Sequence, residues 1–477
     1  MALFLVRGTF YCRMLPLWEG WDEYAHFAFI QHWNATGTLP LFSTPFSREI
    51  DESMRLAPLA HELGWLGPPY LTHGQWWALP EPSRSARLKE LTTLSPELAE
   101  SASLHPQTFY EAQQPPLYYW LVGPVVGIAK AWPIGERVFL ARLLGMALAS
   151  LAIPLAWLAA RLLLGDELAL FCSALVAVAP GFAIDTSRVA NDCLAIPLAA
   201  LLFWLVLRRT THWAWIGVVL GACLITKAYL LIFIPALLAW SVIESRRRGE
   251  LDWKTPARTL VLALVVGGWW YGRNLAMGHT LTGWLEHAAP GDLVRAVFLV
   301  NWFAAAHVAA KSFIWFGAWS FLTLKSWIYA VVELATLVAG TMAVRRHGRQ
   351  LGLPLLIAGC YAVALAYGVV VDQVVHHLGN IPGWYLWSIA PVLAVVTVAG
   401  LQRWTLAILV VLALIDLYGA AGLLVPYYAG LVERNHADVA LFMAGLERLN
   451  VSAGIAFAWI GATLAIPALC AGGYGRR

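Results

Sequence analysis

The stretch Pro115-Pro-Leu-Tyr-Tyr-Trp-Leu-Val-Gly-Pro-Val-Val-Gly-Ile-Ala-Lys-Ala-Trp132 decides how the chain is threaded. It is apolar and close to the ~20 residues a helix needs to cross a bilayer. Twelve other apolar runs lie near 2–17, 138–162, 168–186, 193–207, 213–226, 228–243, 258–275, 326–344, 353–371, 384–401, 404–425 and 454–471. Counting 115–132 as a span gives thirteen membrane helices and inverts every later loop. Leaving it out gives twelve. Loop charge separates the two readings, because Lys and Arg accumulate in short cytoplasmic loops. With twelve spans and the N-terminus inside, the cytoplasmic side receives Arg208–Arg209, Arg246–Arg247–Arg248 with Lys254, Arg345–Arg346–Arg349, Arg403 and Arg476–Arg477. The outer loop at 372–383 then has no Lys or Arg. Residues 115–132 are therefore read as a helix lying in the outer interface. Its Pro-Pro start and Tyr118-Tyr-Trp120 cluster suit that place.

Composition agrees. The 477 residues are 60% hydrophobic and 13% charged, with mean hydropathy +0.66. A soluble domain carries about 25% charged residues. So much apolar surface needs lipid as its solvent, with the backbone satisfied in helices. The 25 Trp residues favour the membrane–water boundary. The net charge of +4 is dispersed over short loops and forms no nucleic-acid stripe, so no nucleic-acid partner is expected. The six cysteines lack CxxC or zinc spacing and read as small buried hydrophobes. No cleavable signal peptide is expected; the first apolar run reads as a retained helix. It is awkward, because 17 residues span only about 25 Å and Arg7 and Arg13 fall within it. Shelter by neighbouring helices, or a start upstream of Met1, would account for both.

The expected fold is thus all-α and polytopic, with about twelve transmembrane helices and juxtamembrane helices in the first outer loop. The expected organisation is a transmembrane core over 1–275 (spans one to seven, including the first outer loop 18–132), a second outer loop over 276–325, and C-terminal spans eight to twelve over 326–477. Short helices are expected at 22–34 and 84–101, and an amphipathic helix at 437–448. The aromatic run 312–320 is too short to span. No internal repeat is evident.

The ionisable residues gather where helices leave the outer side. Trp18-Glu-Gly-Trp-Asp-Glu-Tyr-Ala-His-Phe27 bunches Asp22, Glu23 and His26, with Asp22 and His26 four apart. A carboxylate at headgroup depth suits general-base work on an acceptor hydroxyl; the competing reading is a helix N-cap. In Tyr110-Glu-Ala-Gln-Gln-Pro-Pro-Leu-Tyr-Tyr119, residues Glu111, Gln114 and Tyr118 flank the start of the interfacial helix, whose amides would suit a phosphate. A plain surface helix is the alternative. In Ser187-Arg-Val-Ala-Asn-Asp192, Asn191 and Asp192 would cap span four or orient a substrate, and Arg188 would pair with Asp192. Lys227 and Arg273 sit at outer helix ends, as snorkelling anchors or as partners of a lipid phosphate. His279, His287, His307 and His376–His377 show no metal spacing.

In this order, these motifs resemble the GT-C superfamily of membrane glycosyltransferases, in particular the protein O-mannosyltransferase and lipid A aminoarabinose transferase-like branch. The likeness rests on the Asp-Glu pair after span one, the Pro-Pro-Leu-Tyr-Tyr juxtamembrane helix, the Asn-Asp after span three, the Thr-Lys near the end of span five and the Trp-Tyr-x-Arg-Asn at the end of span seven. It implies a polyprenyl-phosphate sugar donor, an inverting transfer, and a lipid, glycan or protein acceptor in a bacterial inner membrane, with the active site facing outward. Asp22 falls at the catalytic carboxylate and Asp192 at a second acidic position that orients substrate. Lys227 and Arg273 fall at donor-phosphate contacts; Glu23, His26, Glu111, Gln114, Tyr118 and Asn191, beside them in the motifs, are expected to bind substrate. Three positions depart from the pattern. Gln114 stands where some relatives have Lys or His, Gly383-Trp-Tyr385 where many have Arg-Tyr, and His26 where several have an aromatic residue. No cofactor is expected, since a monophosphate leaving group does not require a metal; a divalent-metal site at Asp22, Glu23 and His26 is the lesser alternative. Two other readings compete: a transporter, which would favour polar residues in mid-span and paired repeats, and a non-catalytic subunit that keeps the fold.

Overall fold

The computed structural model describes residues 1–96, 109–208, 211–249, 252–283 and 288–474. Arg209, His287, Arg476, Arg477 and the end of the helix expected at 84–101 lie outside them. The described chain is almost entirely helical; its sheet is one parallel pair of two-residue strands, Pro58–Leu59 and Leu71–Thr72, in the first outer loop.

Among the described residues six stretches are long and apolar enough to cross a membrane: Ile134–Val178, Ala228–Arg248, Ser326–His347, Gly352–Val375, Gly383–Tyr428 and Ala453–Gly472. Two of them are double passes. Ile134–Val178 breaks at Gly165, whose φ of 81° interrupts the helix. Its fold-back is visible at Glu23: Arg142 Nε on the first limb and the Val189 amide just past the second donate to the same Oε1. A straight helix would hold those residues about 70 Å apart. Gly383–Tyr428 breaks at Gln402, where φ is 50° and ψ is −122°. Shorter helices complete the set of twelve: Ala2–Met14, Asp192–Leu207, Trp213–Leu224 and the continuous run from Lys254 to Ala276, which passes through a π-helical turn at Leu264–Gly268.

The helix in the deciding stretch is Leu117–Ile128. At 12 residues it is no longer than Trp213–Leu224, so its packing and not its length decides where it lies. It packs on Glu23–Thr36: Tyr119 stacks on Phe29 at 3.8 Å, and Asn34 donates to the Gly123 carbonyl at 2.8 Å. Gly123 and Gly127 permit this approach, since a Cβ at either would sit 3.1–3.2 Å from Asn34. Leu121 and Ile128 stay exposed on the other side, as an interfacial helix requires.

The awkward first helix is sheltered. Arg7 is fully buried between helices; it pairs with Asp416 at 3.0 Å and donates to Thr463 and the Val178 carbonyl. Asp416 is completed by Tyr11, Trp459 and Thr463, so the intramembrane charge is neutralised and hydrogen-bonded.

The outer segments differ in detail from the sequence expectation. The first short helix is Glu23–Thr36 and the second Glu81–Thr92. The 437–448 helix splits into a 3-10 turn, Val439–Leu441, and Phe442–Arg448. Residues 276–325, expected as an outer loop, hold a helix pair, Pro290–Leu299 and Trp302–Ile314, that is together apolar enough for a span but is bent by 88°. Pro290 starts one helix and Asn301 caps the other, so two ordinary helix-start signals flank a break that the search for a single long apolar run passes over.

Candidate active site

The Trp18–Phe27 segment turns sharply where the first helix ends. Trp18 (φ 65°) and Asp22 (φ 59°) both adopt left-handed backbone, and Gly20 lets the turn press onto Arg188; a Cβ at Gly20 would lie 2.5 Å from the Arg188 Cβ. The turn divides the acids of the motif. Glu23 is fully buried and held by Arg142 through both oxygens, with the Val189 amide as a third donor. Its hydrogen bonds tie helices together. Asp22 precedes helix Glu23–Thr36 but makes no side-chain cap, which removes the N-cap reading. Its carboxylate accepts from the Tyr110 hydroxyl at 2.7 Å.

Opposite it stands a ladder of buried charge. Arg188 stacks on Trp21 at 4.3 Å and bonds Asp185 at 3.1 Å and Asp192 at 3.0 Å. Lys227 donates to Asp192 at 3.1 Å and to Asn191 Oδ1 at 2.6 Å. Tyr229 donates to the other Asp192 oxygen at 2.7 Å, and the Tyr229 and Tyr385 rings meet at 5.7 Å. Asn191 also donates to Gln114 and the Thr226 carbonyl. It sits at the N-cap position of Asp192–Leu207, but its side chain is spent on Lys227 and Gln114, not on the helix. The interfacial segment, the span-four start and the span-five end are thereby joined.

A third layer is nearly neutral. His26 Nδ1 is 2.7 Å from the Tyr119 hydroxyl and 3.8 Å from Glu111. Burial pushes Glu111 up to about 8, helped by the charge of Asp22. Burial also pushes His26 well below the usual histidine range, with Lys227 and Arg188 adding to the effect. Burial thus favours the neutral form of both members of this pair. Asp22 is also raised by burial; Tyr110, Arg188 and Lys227 oppose the shift. Of the five acids here, Glu23, Glu111, Asp185 and Asp192 are buried, and Asp22 alone is partly exposed. Tyr110, Gln114, Tyr229 and Tyr385 share that partial exposure.

Two residues of the expected set stand apart. Tyr118 is buried and faces Gly145 in the core; Tyr119 is the one that reaches His26. Arg273 lies at the rim, half-buried, with its guanidinium 4.6 Å over the Trp270 ring, and Trp270 bonds the Gln113 carbonyl. It is linked to Lys227 through Gln113, Gln114 and Asn191, on the same end of the bundle. Sequence reasoning missed Tyr110, Asp185, Tyr229 and Tyr385 as site residues. Tyr110 and Tyr229 were within reach, since each is one or two positions from a residue singled out. His279 packs edge-on against Phe42, and His307 pairs with Glu333 at 2.7 Å. Among the described residues no group of three His, Cys, Asp or Glu side chains is placed to hold a metal.

Comparison with known proteins places this geometry. Residues 113–271 match the family model described as dolichyl-phosphate-mannose-protein mannosyltransferase. That interval contains Gln114, Asn191, Asp192 and Lys227 but not Asp22 or Arg273. Undecaprenyl phosphate-alpha-4-amino-4-deoxy-L-arabinose arabinosyl transferase 2 of Pseudomonas fluorescens is 28% identical over 38% of this chain and 32% of its own length. The match thus spans about a third of that relative. ArnT from Cupriavidus metallidurans, solved in the apo state and bound to undecaprenyl phosphate, has the same fold: TM-score 0.51 and 14% identity over 98% of this chain and 75% of that one. Over residues 113–271 the chain thus resembles the dolichyl-phosphate-mannose-protein mannosyltransferase family, and over nearly its whole length it shares the fold of ArnT.

Proposed function

We propose that the chain is an inverting glycosyltransferase that moves a sugar from a polyprenyl-phosphate donor to an acceptor hydroxyl, on the extracytoplasmic side of a bacterial inner membrane. The observation that carries it is Asp22: the one partly exposed acid of the cluster, held by Tyr110 on the same bundle end as Lys227 and Arg273. The undecaprenyl phosphate in the structure of the Cupriavidus relative supports a lipid phosphate as the donor's carrier.

In this scheme the acceptor oxygen attacks the anomeric carbon, and its proton passes to Asp22. The bond from that carbon to the lipid phosphate breaks, through a transition state with oxocarbenium character. Charge grows on the departing phosphate. Lys227 has three donors, two of them engaged by Asn191 and Asp192, so the third meets the phosphate. Arg273 at the rim grips it as it enters and leaves. Asp192, held by Arg188, Lys227 and Tyr229, orients the cation and takes no proton. A monophosphate leaving group does not require a metal. The donor sugar is a hexose or pentose, and the acceptor a lipid, glycan or protein.

The test is transfer of labelled sugar from a polyprenyl-phosphate donor by the protein in nanodiscs, with Asp22→Asn beside it. Wild-type turnover that falls by roughly 10²-fold in the variant is expected. Turnover by Asp22→Asn within a few fold of wild type would remove Asp22 from the mechanism. A non-catalytic role predicts no turnover by either.

A further inference from the structure

The end of the bundle remote from Asp22 carries a second site. A cavity of about 730 Å³ opens there between six helices. Its depth is apolar, lined by Ile216, Leu220, Ile234 and Leu353 among others, and its mouth holds Arg208, Arg247, Arg248 and Arg349. These arginines come from the ends of three separate helices, spans four, six and eight, and the structure brings them to one opening. Two acids share the mouth, Glu244 and Asp252. Glu244 lies 3.9 Å from Arg247 and 3.4 Å from Arg248. Among the described residues neither Arg208 nor Arg349 has a carboxylate partner. Among the described residues the mouth therefore keeps an excess of two positive charges, on exposed guanidinium groups at the boundary of the apolar walls.

That combination selects a ligand class. A soluble anion would leave the apolar depth unfilled, and a neutral lipid would leave the two arginines unanswered. A planar guanidinium fork matches a phosphate diester. Trp204 and Trp240, stacked against Arg208 at 5.0 Å and Arg247 at 5.5 Å, hold the guanidinium groups at headgroup depth. We infer that this cavity binds an anionic glycerophospholipid of the leaflet at the basic end, with its phosphate between Arg208 and Arg349 and its acyl chains along Ile216, Leu220 and Leu353. Bound there, the lipid would brace helices Trp213–Leu224, Phe233–Arg248 and Gly352–Val375 against one another. The site is separate from the donor's, and the inference does not depend on the transfer reaction.

The experiment purifies the full chain in mild detergent and measures retained lipid by native mass spectrometry. Delipidated protein is then titrated with phosphatidylglycerol, phosphatidylcholine or a polyprenyl phosphate while its melting temperature is followed. Wild type should retain about one phosphatidylglycerol and be stabilised by it, and not by phosphatidylcholine. Arg208→Gln with Arg349→Gln should weaken phosphatidylglycerol binding at least roughly tenfold, the scale of two headgroup contacts. Arg208→Lys with Arg349→Lys keeps the charge and should retain most of the binding. Equal stabilisation by both phospholipids would overturn the proposal on wild-type protein alone, even if the variants fail to fold. Unchanged phosphatidylglycerol binding in the Gln pair would overturn it too. So would a loss in that pair confined to the polyprenyl phosphate, which would make the cavity a second carrier-lipid site.

Discussion

Asp22 combines two demands that most residues cannot meet together. Its backbone is left-handed, which Asn and Asp tolerate far better than other side chains. It is also the one partly exposed residue in an otherwise buried set of acids. Asp22→Asn therefore keeps the turn and most of the hydrogen bonding to Tyr110 while deleting the base, so its melting temperature should stay close to wild type while turnover falls. Tyr110 gives a second, independent reading of the same carboxylate. Burial raises the proton affinity of Asp22, and the Tyr110 hydroxyl, by donating to the charged form, holds it back. A general base works when deprotonated, so the rate should rise with pH through the raised pKa of Asp22. Tyr110→Phe removes the opposing bond, and the acidic limb of kcat/KM should move to higher pH. An unmoved limb, at whatever rate, would mean that a different group governs it.

At the level of elements, the acids of one motif serve opposite ends. Glu23, next in sequence to Asp22, joins helix Glu23–Thr36 to Arg142 on the second span and to the Val189 amide beyond the third. Glu23→Gln leaves the Arg142 guanidinium buried without its counter-charge, a loss of about 3–5 kcal/mol by the usual scale for breaking a buried pair. The expected outcome is a lower melting temperature with near-normal turnover per folded molecule; a folded, fully stable but inactive variant would instead put Glu23 in the chemistry. The distinction was not legible in the sequence, where Asp22 and Glu23 look alike; the left-handed turn at Asp22 points them apart. The spans were legible, because an apolar run bounded by Pro or Arg needs no partner to declare itself. Arg7 was the exception, intelligible only once Asp416, more than four hundred residues later, lies beside it. The same holds for the site. Lys227, Asn191 and Asp192 each carry a local signal at a helix end. Tyr385 drew notice only within a stretch that departs from the family pattern, and Asp185 reads as an ordinary polar residue closing a span until Arg188 is seen to hold it and Asp192 together.

For the whole molecule the question is which end faces which side. The structure separates two ends without reference to any membrane. One gathers Asp22, Glu111, Asp192 and Lys227, with the first outer loop folded over them. The other gathers Arg208, Arg247, Arg248 and Arg349 around one cavity. Twelve passes satisfy both groupings: the ends of spans two, four, six and eight meet at the basic cavity, and those of spans one, three and five at the acids. A thirteenth pass through Leu117–Ile128 would carry the chain away from Asp192, whereas both sides of that group stay joined, with Asn191 bonded to Gln114 just before the helix. Because cationic loops are retained on the cytoplasmic side, the basic end should face the cytoplasm and the Asp22 cluster the outside. The six native cysteines are buried or nearly so, which leaves a low background for labelling from outside. An impermeant thiol reagent on intact cells should modify Ser85→Cys, on the exposed helix Glu81–Thr92, and should leave Arg247→Cys untouched until the membrane is opened. Labelling of Arg247→Cys in sealed cells would invert the molecule. The transfer would then face the cytoplasm, where sugar nucleotides are made, and the case for a lipid-carried donor would lose its physical reason.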